Sequence, residues 1–270
     1  MKRKTIERML YDTHCHLNYH TNEELKDITQ RAKEYGVRYV MQAGARVEEI
    51  NREVDICNKF SDDDIKIFCA LANHPEYTKK NISSTEDLLK TATSDENIKA
   101  IGETGLDTHI QENEEFLNDQ IKSFENHIEA SLTLNLPLII HARGDVAISK
   151  CIEMLKFYKK DDVRFVMHSY TGDIDNAKKA LDMGGFVSFS GIATFKHAEN
   201  VRDVVKIVPI ENMFVETDAP FLAPTPMRGK QNETGFVSYT AKFLSDFLQI
   251  DYNKFCNATT QNAKKFFQHE

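Results

Sequence analysis

Histidines and acidic residues follow short apolar runs at several points of the chain, where they could bind a metal ion. The first run ends in His14 and His16, with Cys15 between them. Because side chains alternate between the two faces of a strand, the two imidazoles point the same way and Cys15 points away from them. Two imidazoles at this spacing can bind one metal ion, although two partly exposed histidines near a loop would give the same short motif.

Later apolar runs end in residues of the same kinds. Glu103 follows a buried run, and a carboxylate in that position is costly unless it is paired or binds a metal ion. His141 and His168 come directly after the next two runs, and Asp218 follows the last one, two residues after Glu216. Each of these residues alone could be a core histidine or a salt-bridged acid. Together the candidate metal ligands are His14, His16, Glu103, His141, His168 and Asp218.

The number of candidate ligands predicts two metal ions rather than one. Four imidazoles and two carboxylates, one of them bridging, suit two divalent ions about 3.5–4 Å apart that activate a water molecule for hydrolysis. Imidazole suits Zn2+ or Mn2+, whereas Mg2+ prefers oxygen ligands, so the ligand types leave the ion open. No G-x-S-x-G turn, P-loop or C-x-x-C motif indicates another chemistry. The histidines in predicted loops and helices are expected mostly at the surface, namely His20, His109, His127, His197 and His269.

Strands are needed to hold these ligands, and eight apolar runs alternate with longer amphipathic segments. One helical face is predicted between 117 and 132, and a final helix over 254–267. Strands that are apolar on both faces and connected by helices are typical of a parallel sheet. The predicted strands lie near 9–12, 37–43, 65–72, 98–102, 138–141, 163–167, 186–189 and 213–216.

Eight such units in 270 residues predict an α/β protein with a closed (β/α)8 TIM barrel. The chain contains no linker, so we expect a single domain over 1–270. Chemistry in such a barrel lies at the C-terminal ends of the strands, which is where the candidate ligands occur. An open, doubly wound sheet is the alternative, but its glycine-rich turn is missing after the first strand.

The composition excludes several classes of protein. The chain has 34 Lys and Arg against 42 Asp and Glu, a net charge of −8, which is unfavourable for a general nucleic-acid coat but allows an enzyme whose metal ions neutralise phosphate. Five cysteines without a C-x-x-C motif indicate reduced thiols and a cytoplasmic location. No apolar stretch is long enough for a membrane span, and the basic N-terminal segment lacks the apolar run of a signal peptide.

With these residues in place, the sequence resembles the TatD family of metal-dependent deoxyribonucleases, barrel enzymes of the amidohydrolase-like superfamily. The resemblance implies that the two histidines of the first run bind the first metal ion together with Asp218. It implies that Glu103 bridges the two ions and that the histidines of the fifth and sixth runs bind the second. The segments that carry it occur in the family's order, namely DTHCHL, NHPE, GETGLD, IIHAR, MHSYTG, SFSGIATFK, ETDAPFLAP, RGKQNE and TTQNAKKFF.

The resemblance also implies an activity on DNA. The catalytic residues would be Asp218, which orients or deprotonates the attacking water, and the bridging Glu103. The substrate would be contacted by His74, Arg143 and Arg228 and cleaved from single-stranded ends in the 3′→5′ direction, with Mg2+ or another divalent ion. The segments around His74 and Arg228 are less basic than the family pattern, which could weaken DNA affinity without touching the metal ions. We expect the protein to act as a monomer.

Two other functions stay open at this point. Some members of the family deacylate D-aminoacyl-tRNA, and the same pair of metal ions would activate water against an ester or amide bond. The ligands therefore do not discriminate between a nuclease and a deacylase, although the candidate phosphate-binding residues favour the nuclease. A metal-binding protein without catalysis is the third possibility, but six polar ligands would then cost stability with no catalytic return.

Overall fold

Eight parallel strands form a barrel, and each of them lies on one of the predicted apolar runs. The computed structural model describes residues 9–79, 82–110, 114–158 and 162–269. Neighbouring strands pair in chain order, and a bridge between Cys15 and Ala219 joins the first strand to the segment after the last. The predicted (β/α)8 barrel in a single domain is confirmed. Its strands are β1 (Leu10–Cys15), β2 (Val37–Gln42), β3 (Lys66–Leu71), β4 (Ile98–Asp107), β5 (Leu138–Arg143), β6 (Phe165–Met167), β7 (Phe186–Phe189) and β8 (Met213–Val215).

Helices connect the strands and cover the outside of the barrel. The helical face predicted between 117 and 132 lies on α4 (Glu114–Leu134), where Phe124 and Ile128 are buried in the core. No helix among the described residues is long and apolar enough to cross a lipid bilayer. The other helices are α1 (Asn22–Glu34), α2 (Ile50–Phe60), α3 (Thr85–Ala92), α5 (Asp145–Tyr158), α6 (Ile174–Asp182), α7 (Glu199–Val205), α8 (Val237–Phe247) and α9 (Tyr252–Phe266).

The interior of the barrel is packed with side chains that point inward from successive strands. Aromatic rings stand on β1 and β8, at Tyr11 and Phe214, and small alanines stand on β3 and β4, at Ala70 and Ala100. The predicted final helix is confirmed as α9, and its Phe266 ring lies 5.3 Å from the ring of Phe214, centre to centre. This apolar packing occupies the N-terminal half of the barrel, so the polar candidates collect at the opposite end.

The predicted surface location is wrong for two histidines, His20 and His127, which are both buried. His127 lies on the core-facing side of α4 and is held at both ring nitrogens. Its Nδ1 donates to the backbone oxygen of Ser123 at 2.7 Å, and its Nε2 accepts from the backbone N–H of Asn73 at 3.0 Å. Burial lowers the pKa of His127 to about 4, so the ring is neutral. It ties α4 to the loop after β3, next to His74.

We expect His127 to lower the stability of the protein in acid. The unfolded chain takes up a proton here near the ordinary pKa of 6.5, whereas the folded chain does so only near pH 4. The contribution of the neutral His127 ring to the free energy of unfolding is therefore present above pH 6.5 and is lost as the pH falls towards 4. The loss is about 3 kcal/mol at most. In a His127→Gln variant this proton uptake is gone, so the free energy of unfolding should fall less steeply with acid.

The measurement is chemical denaturation of chelator-treated protein from about pH 7 to about pH 4. His197→Gln is the matched control, because His197 is exposed, and it should keep the slope of the unmodified protein. An unchanged slope for His127→Gln would contradict the buried neutral state.

Candidate metal centre

The C-terminal half of the barrel brings every predicted metal ligand to one place. The ligands border or underlie an open cavity of about 560 Å³. None of them is fully exposed, and most are buried. The six residues lie in or directly after five strands, namely His14 and His16 (β1), Glu103 (β4), His141 (β5), His168 (β6) and Asp218 (β8).

Glu103 stands between the other ligands. Its Oε1 lies 3.2 Å from Nε2 of His16, on the side of β1. Its Oε2 lies 3.0 Å from Nε2 of His168 and 3.4 Å from Nδ1 of His141, on the side of β5 and β6. The carboxylate therefore contacts both sets of imidazoles, which is the position expected of a bridging ligand.

Glycine makes this position possible. Gly105 has a φ of +138°, and a Cβ there would lie 2.1 Å from the backbone oxygen of His141. Any other residue would push β4 and β5 apart just where Glu103 and His141 must approach each other. The glycine of the GETG segment thus brings the two ligands into contact.

The first set of candidate ligands consists of His14, His16 and Asp218, whose nitrogen and oxygen atoms lie within 4.8 Å of one another. The Asp218 backbone N–H donates to the backbone oxygen of His14 at 2.9 Å, so the pairing of β1 with the chain after β8 places the carboxylate. Asp218 has a φ of +58°, a conformation that non-glycine residues seldom adopt and that recurs at functional sites. Within the described residues, neither ring nitrogen of the buried His14 makes a hydrogen bond. Such unpaired nitrogens fit a bound cation.

The second set consists of His141 and His168, and an acid holds the far side of each ring. Nε2 of His141 lies 3.0 Å from Oδ2 of Asp107, and Nδ1 of His168 lies 3.2 Å from Oε1 of Glu216. The nitrogens that remain, Nδ1 of His141 and Nε2 of His168, face Glu103. A carboxylate behind a histidine is typical of metal sites, because it orients the ring and fixes its tautomer.

Sequence reasoning gave no role to Asp107, although the signal was present. Asp107 lies four residues after Glu103 on the same strand, so both side chains leave the same face of β4. Glu216 was recognised only as a second acid at the end of β8, and the structure shows its partner. Cys15 is buried and its Sγ lies 3.6 Å from the backbone oxygen of Met41, away from the ligands.

The charges of the cluster depend on one another. Burial alone would raise the pKa of Glu103 and Asp218, but the surrounding imidazoles outweigh it and hold both below their usual ranges. Burial disfavours the charged form of His16, but the two carboxylates outweigh it and raise its pKa to about 10. Divalent cations can replace the protons on such imidazoles, and their binding then releases protons. The donor set of imidazole nitrogens and ionised carboxylates therefore fits divalent metal ions.

His74 faces the same cavity, and its ring lies close to Glu103 and His141, with ligand atoms within 4.8 Å of one another. Its Nδ1 accepts from the backbone N–H of Glu76 at 3.1 Å, and burial lowers its pKa to about 3. The ring is therefore neutral and carries its proton on Nε2, which lies 3.3 Å from Nδ1 of His141. A nitrogen that carries a proton cannot bind a metal ion, but it can donate to a substrate oxygen.

The two predicted substrate arginines lie in different places. Arg143 is exposed and lines the metal cavity. Arg228 does not line it, because its guanidinium lies over the ring of Phe195, 3.9 Å from the ring centre. Arg228 lines an adjoining groove of about 500 Å³, which shares Thr171 and Ile192 with the metal cavity. It can contact only a substrate that extends beyond the cavity.

Known proteins resemble this chain along almost its whole length. A model of the TatD related DNase family matches residues 11–268. The uncharacterized metal-dependent hydrolase YabD of Bacillus subtilis (strain 168) is 32% identical over 265 residues, which cover 96% of this chain and 99% of that protein. The uncharacterized metal-dependent hydrolase YcfH of Escherichia coli (strain K12) is 32% identical over 262 residues, which cover 96% and 95%.

Solved structures show the same fold. YjjV, a TatD homologue from Escherichia coli K12, superimposes with a TM-score of 0.87 at 22% identity over 97% of this chain and 98% of that one. A TatD family hydrolase from Entamoeba histolytica superimposes with a TM-score of 0.83 at 20% identity, over 96% and 98%. Because the family model spans almost the whole chain and the relatives match it from end to end, this chain belongs to the TatD related DNase family.

Proposed function

We propose that this chain, a metal-dependent hydrolase of the TatD family, hydrolyses phosphodiester bonds of DNA and removes nucleotides from single-stranded 3′ ends. The proposal includes two divalent ions, with Mg2+, Zn2+ and Mn2+ as candidates. The observation that carries it is the position of Glu103, whose two oxygens contact separate sets of imidazoles beneath an open cavity. Such a pair of sites is suited to in-line displacement at phosphorus.

The proposal assigns a role to each candidate metal ligand and to His74. The first ion would be held by His14, His16 and Asp218, the second by the histidines of β5 and β6, and Glu103 would contact both. When bound, the ions supply Lewis-acid chemistry for the water and the phosphate. Asp218 is ionised at neutral pH, because the imidazoles around it hold its pKa low despite burial, and it can accept the proton of the attacking water. The N–H of His74 donates to a phosphate oxygen.

The arginines favour a phosphate ester over a neutral substrate. Arg143 and Arg228 make no ion pair and no side-chain hydrogen bond with other described residues. The other arginines there each contact a carboxylate or a backbone oxygen, namely Arg31, Arg38, Arg46, Arg52, Arg164 and Arg202. In a chain with a net charge of −8, two such guanidiniums beside the metal cavity support the binding of an anion.

The adjoining groove supports a substrate longer than one nucleotide. Lys196, His197 and Arg228 line it, and no carboxylate of the described residues does so. Phe195 lines the groove with them, and its ring contacts the guanidinium of Arg228. Cations interleaved with an aromatic ring are typical of grooves for single-stranded nucleic acid. A strand could therefore continue from the metal cavity into this groove.

The test of this function is direct. Protein freed of metal with a chelator receives each divalent ion in turn and is offered 5′-labelled single-stranded DNA, duplex DNA and a D-aminoacyl-tRNA. We expect shortening of the single strand from its 3′ end to be the fastest reaction. Faster release of the amino acid from the tRNA would replace the proposal by the deacylase, and the absence of all three reactions would refute both.

Asp218→Asn should separate catalysis from metal binding. Asparagine keeps the size and one oxygen of the side chain but cannot accept the proton of the water. General-base help is worth about 10²–10⁴-fold in rate, and we expect a loss of that size in kcat on single-stranded DNA. Metal content, measured on the same sample, should stay near that of the unmodified protein. Unchanged turnover with bound metal would show that Asp218 is not the base.

Glu103→Gln should behave differently. Its carboxylate contacts both sets of imidazoles, so the neutral amide should weaken the binding of both ions, not of one. We expect metal content and turnover to fall together and turnover to recover in part at high metal concentration. Loss of a single ion would contradict the bridging position.

Arg143→Ala and Arg228→Ala should differ in their dependence on substrate length. Arg143 lines the metal cavity, so its loss should lower kcat/KM about 10–100-fold for a dinucleotide and for a longer strand alike. Arg228 lines only the groove, so its loss should affect the longer strand alone. Lys66→Ala is the control, because it removes an exposed cation at the N-terminal end of β3. Equal effects of Arg228→Ala on both lengths would contradict the path through the groove.

A further inference from the structure

One buried acid near the metal centre has no partner. Glu53 lies in the first turn of α2 and is 1% exposed, yet neither carboxyl oxygen makes a hydrogen bond with another described residue. Leaving such a group unpaired in the interior destabilises a protein, and native structures contain few of them. Glu53 is also absent from the set of ligands that the sequence predicted.

The polar groups around Glu53 point to the metal ligand His16. Burial raises the pKa of Glu53 well above its usual range, and the nearby charge of His16 opposes that rise. The neighbouring amide of Gln42 opposes the rise in pKa less than His16 does, and its Nε2 already donates to Oδ1 of Asn18 at 3.2 Å and to the backbone oxygen of Ala43 at 2.8 Å. Its Oε1 accepts from two backbone N–H groups of the segment after His16.

His16 lacks the group that Glu53 could supply. Its Nε2 faces the carboxylates of Glu103 and Asp218, at 3.2 and 3.5 Å. Its Nδ1 is buried and has no hydrogen-bond partner among the described residues. A histidine that binds a metal ion through Nε2 carries its proton on Nδ1, and this N–H almost always donates to a carboxylate, a backbone oxygen or a water molecule.

The second set of candidate ligands already has a carboxylate behind each histidine ring. His141 and His168 each have an acid at the nitrogen that faces away from Glu103, at 3.0 and 3.2 Å. His16 therefore has a free donor site, and Glu53 beside it has two free acceptor atoms. Both groups are buried, so bulk water does not satisfy them.

We propose that, when the first metal ion is bound, Glu53 accepts the hydrogen bond from Nδ1 of His16 through one water molecule, so that Glu53 is a positioning residue for that ion. It holds the ring and its tautomer so that Nε2 is available to the ion. Glu53 touches neither the substrate nor the ion in this arrangement. The inference concerns metal binding and does not depend on which bond the protein hydrolyses.

The proposal predicts opposite effects on stability and on metal binding. Glu53→Met fills the same space with an apolar side chain, which removes a buried unpaired acid. The metal-free variant should therefore melt at a higher temperature, by about 2–4 °C. Its affinity for the first ion should fall about 10–100-fold, because partners of this kind typically contribute that much. A residue that merely supported the fold would lower both.

The experiment measures both quantities on one set of proteins. Tm is measured after treatment with a chelator, and Mn2+ and Zn2+ affinities are measured by competition with a chromophoric chelator. Glu53→Gln keeps an acceptor oxygen without the charge, so its metal affinity should lie between those of the unmodified protein and Glu53→Met. Glu48→Met is the matched control, since Glu48 is an exposed acid just before α2, and both readouts should stay unchanged.

Two results would overturn the proposal. One is a Tm of metal-free Glu53→Met below that of the unmodified protein, or a failure of this variant to fold, because the acid would then be needed by the fold itself. The other is unchanged affinity for both ions in Glu53→Met.

Discussion

A carboxylate surrounded by imidazoles is the interaction on which the active end of this barrel depends. Glu103 is buried, and its charge would be expensive there without compensation. Imidazoles from β1, β5 and β6 provide that compensation, and each of these strands must end in register with β4 for them to reach it. The positions of the strand ends are thus tied to the electrostatics of one side chain, and glycine at 105 is needed to let β4 and β5 come close enough.

Stability and chemistry occupy opposite halves of the molecule. The N-terminal half of the barrel is filled by apolar residues such as Tyr11 and Phe214 and is closed by Phe266 of the last helix. The C-terminal half contains unpaired nitrogens and acids, which would be costly in a protein that had only to fold. Packing in the first half compensates for this cost, so the second can keep its polar groups ready for cations.

Much of this arrangement could be predicted from the sequence. The eight strands, the ligands at their ends and the alternation that turns Cys15 away all follow from periodicities that act over a few residues. The residues that support the ligands could not be predicted in the same way. Asp107, Glu53 and His127 lie in segments whose patterns are equally typical of surface acids and exposed helix positions. Their roles depend on contacts between distant parts of the chain, such as the bond from Asn73 to His127.

The sequence by itself determined the barrel and the six candidate ligands that border or underlie the cavity, because strand alternation and strand order are local properties that repeat along the chain. Its motifs carried the resemblance to the family. Only the tertiary structure decided which atom of each histidine is free to bind a metal ion. That choice depends on the partner at the other nitrogen, which is Asp107 for His141 and Glu216 for His168. The pairing of β4 with β5, not spacing along the chain, brings Asp107 to His141, and the tautomer of the ring follows from that contact.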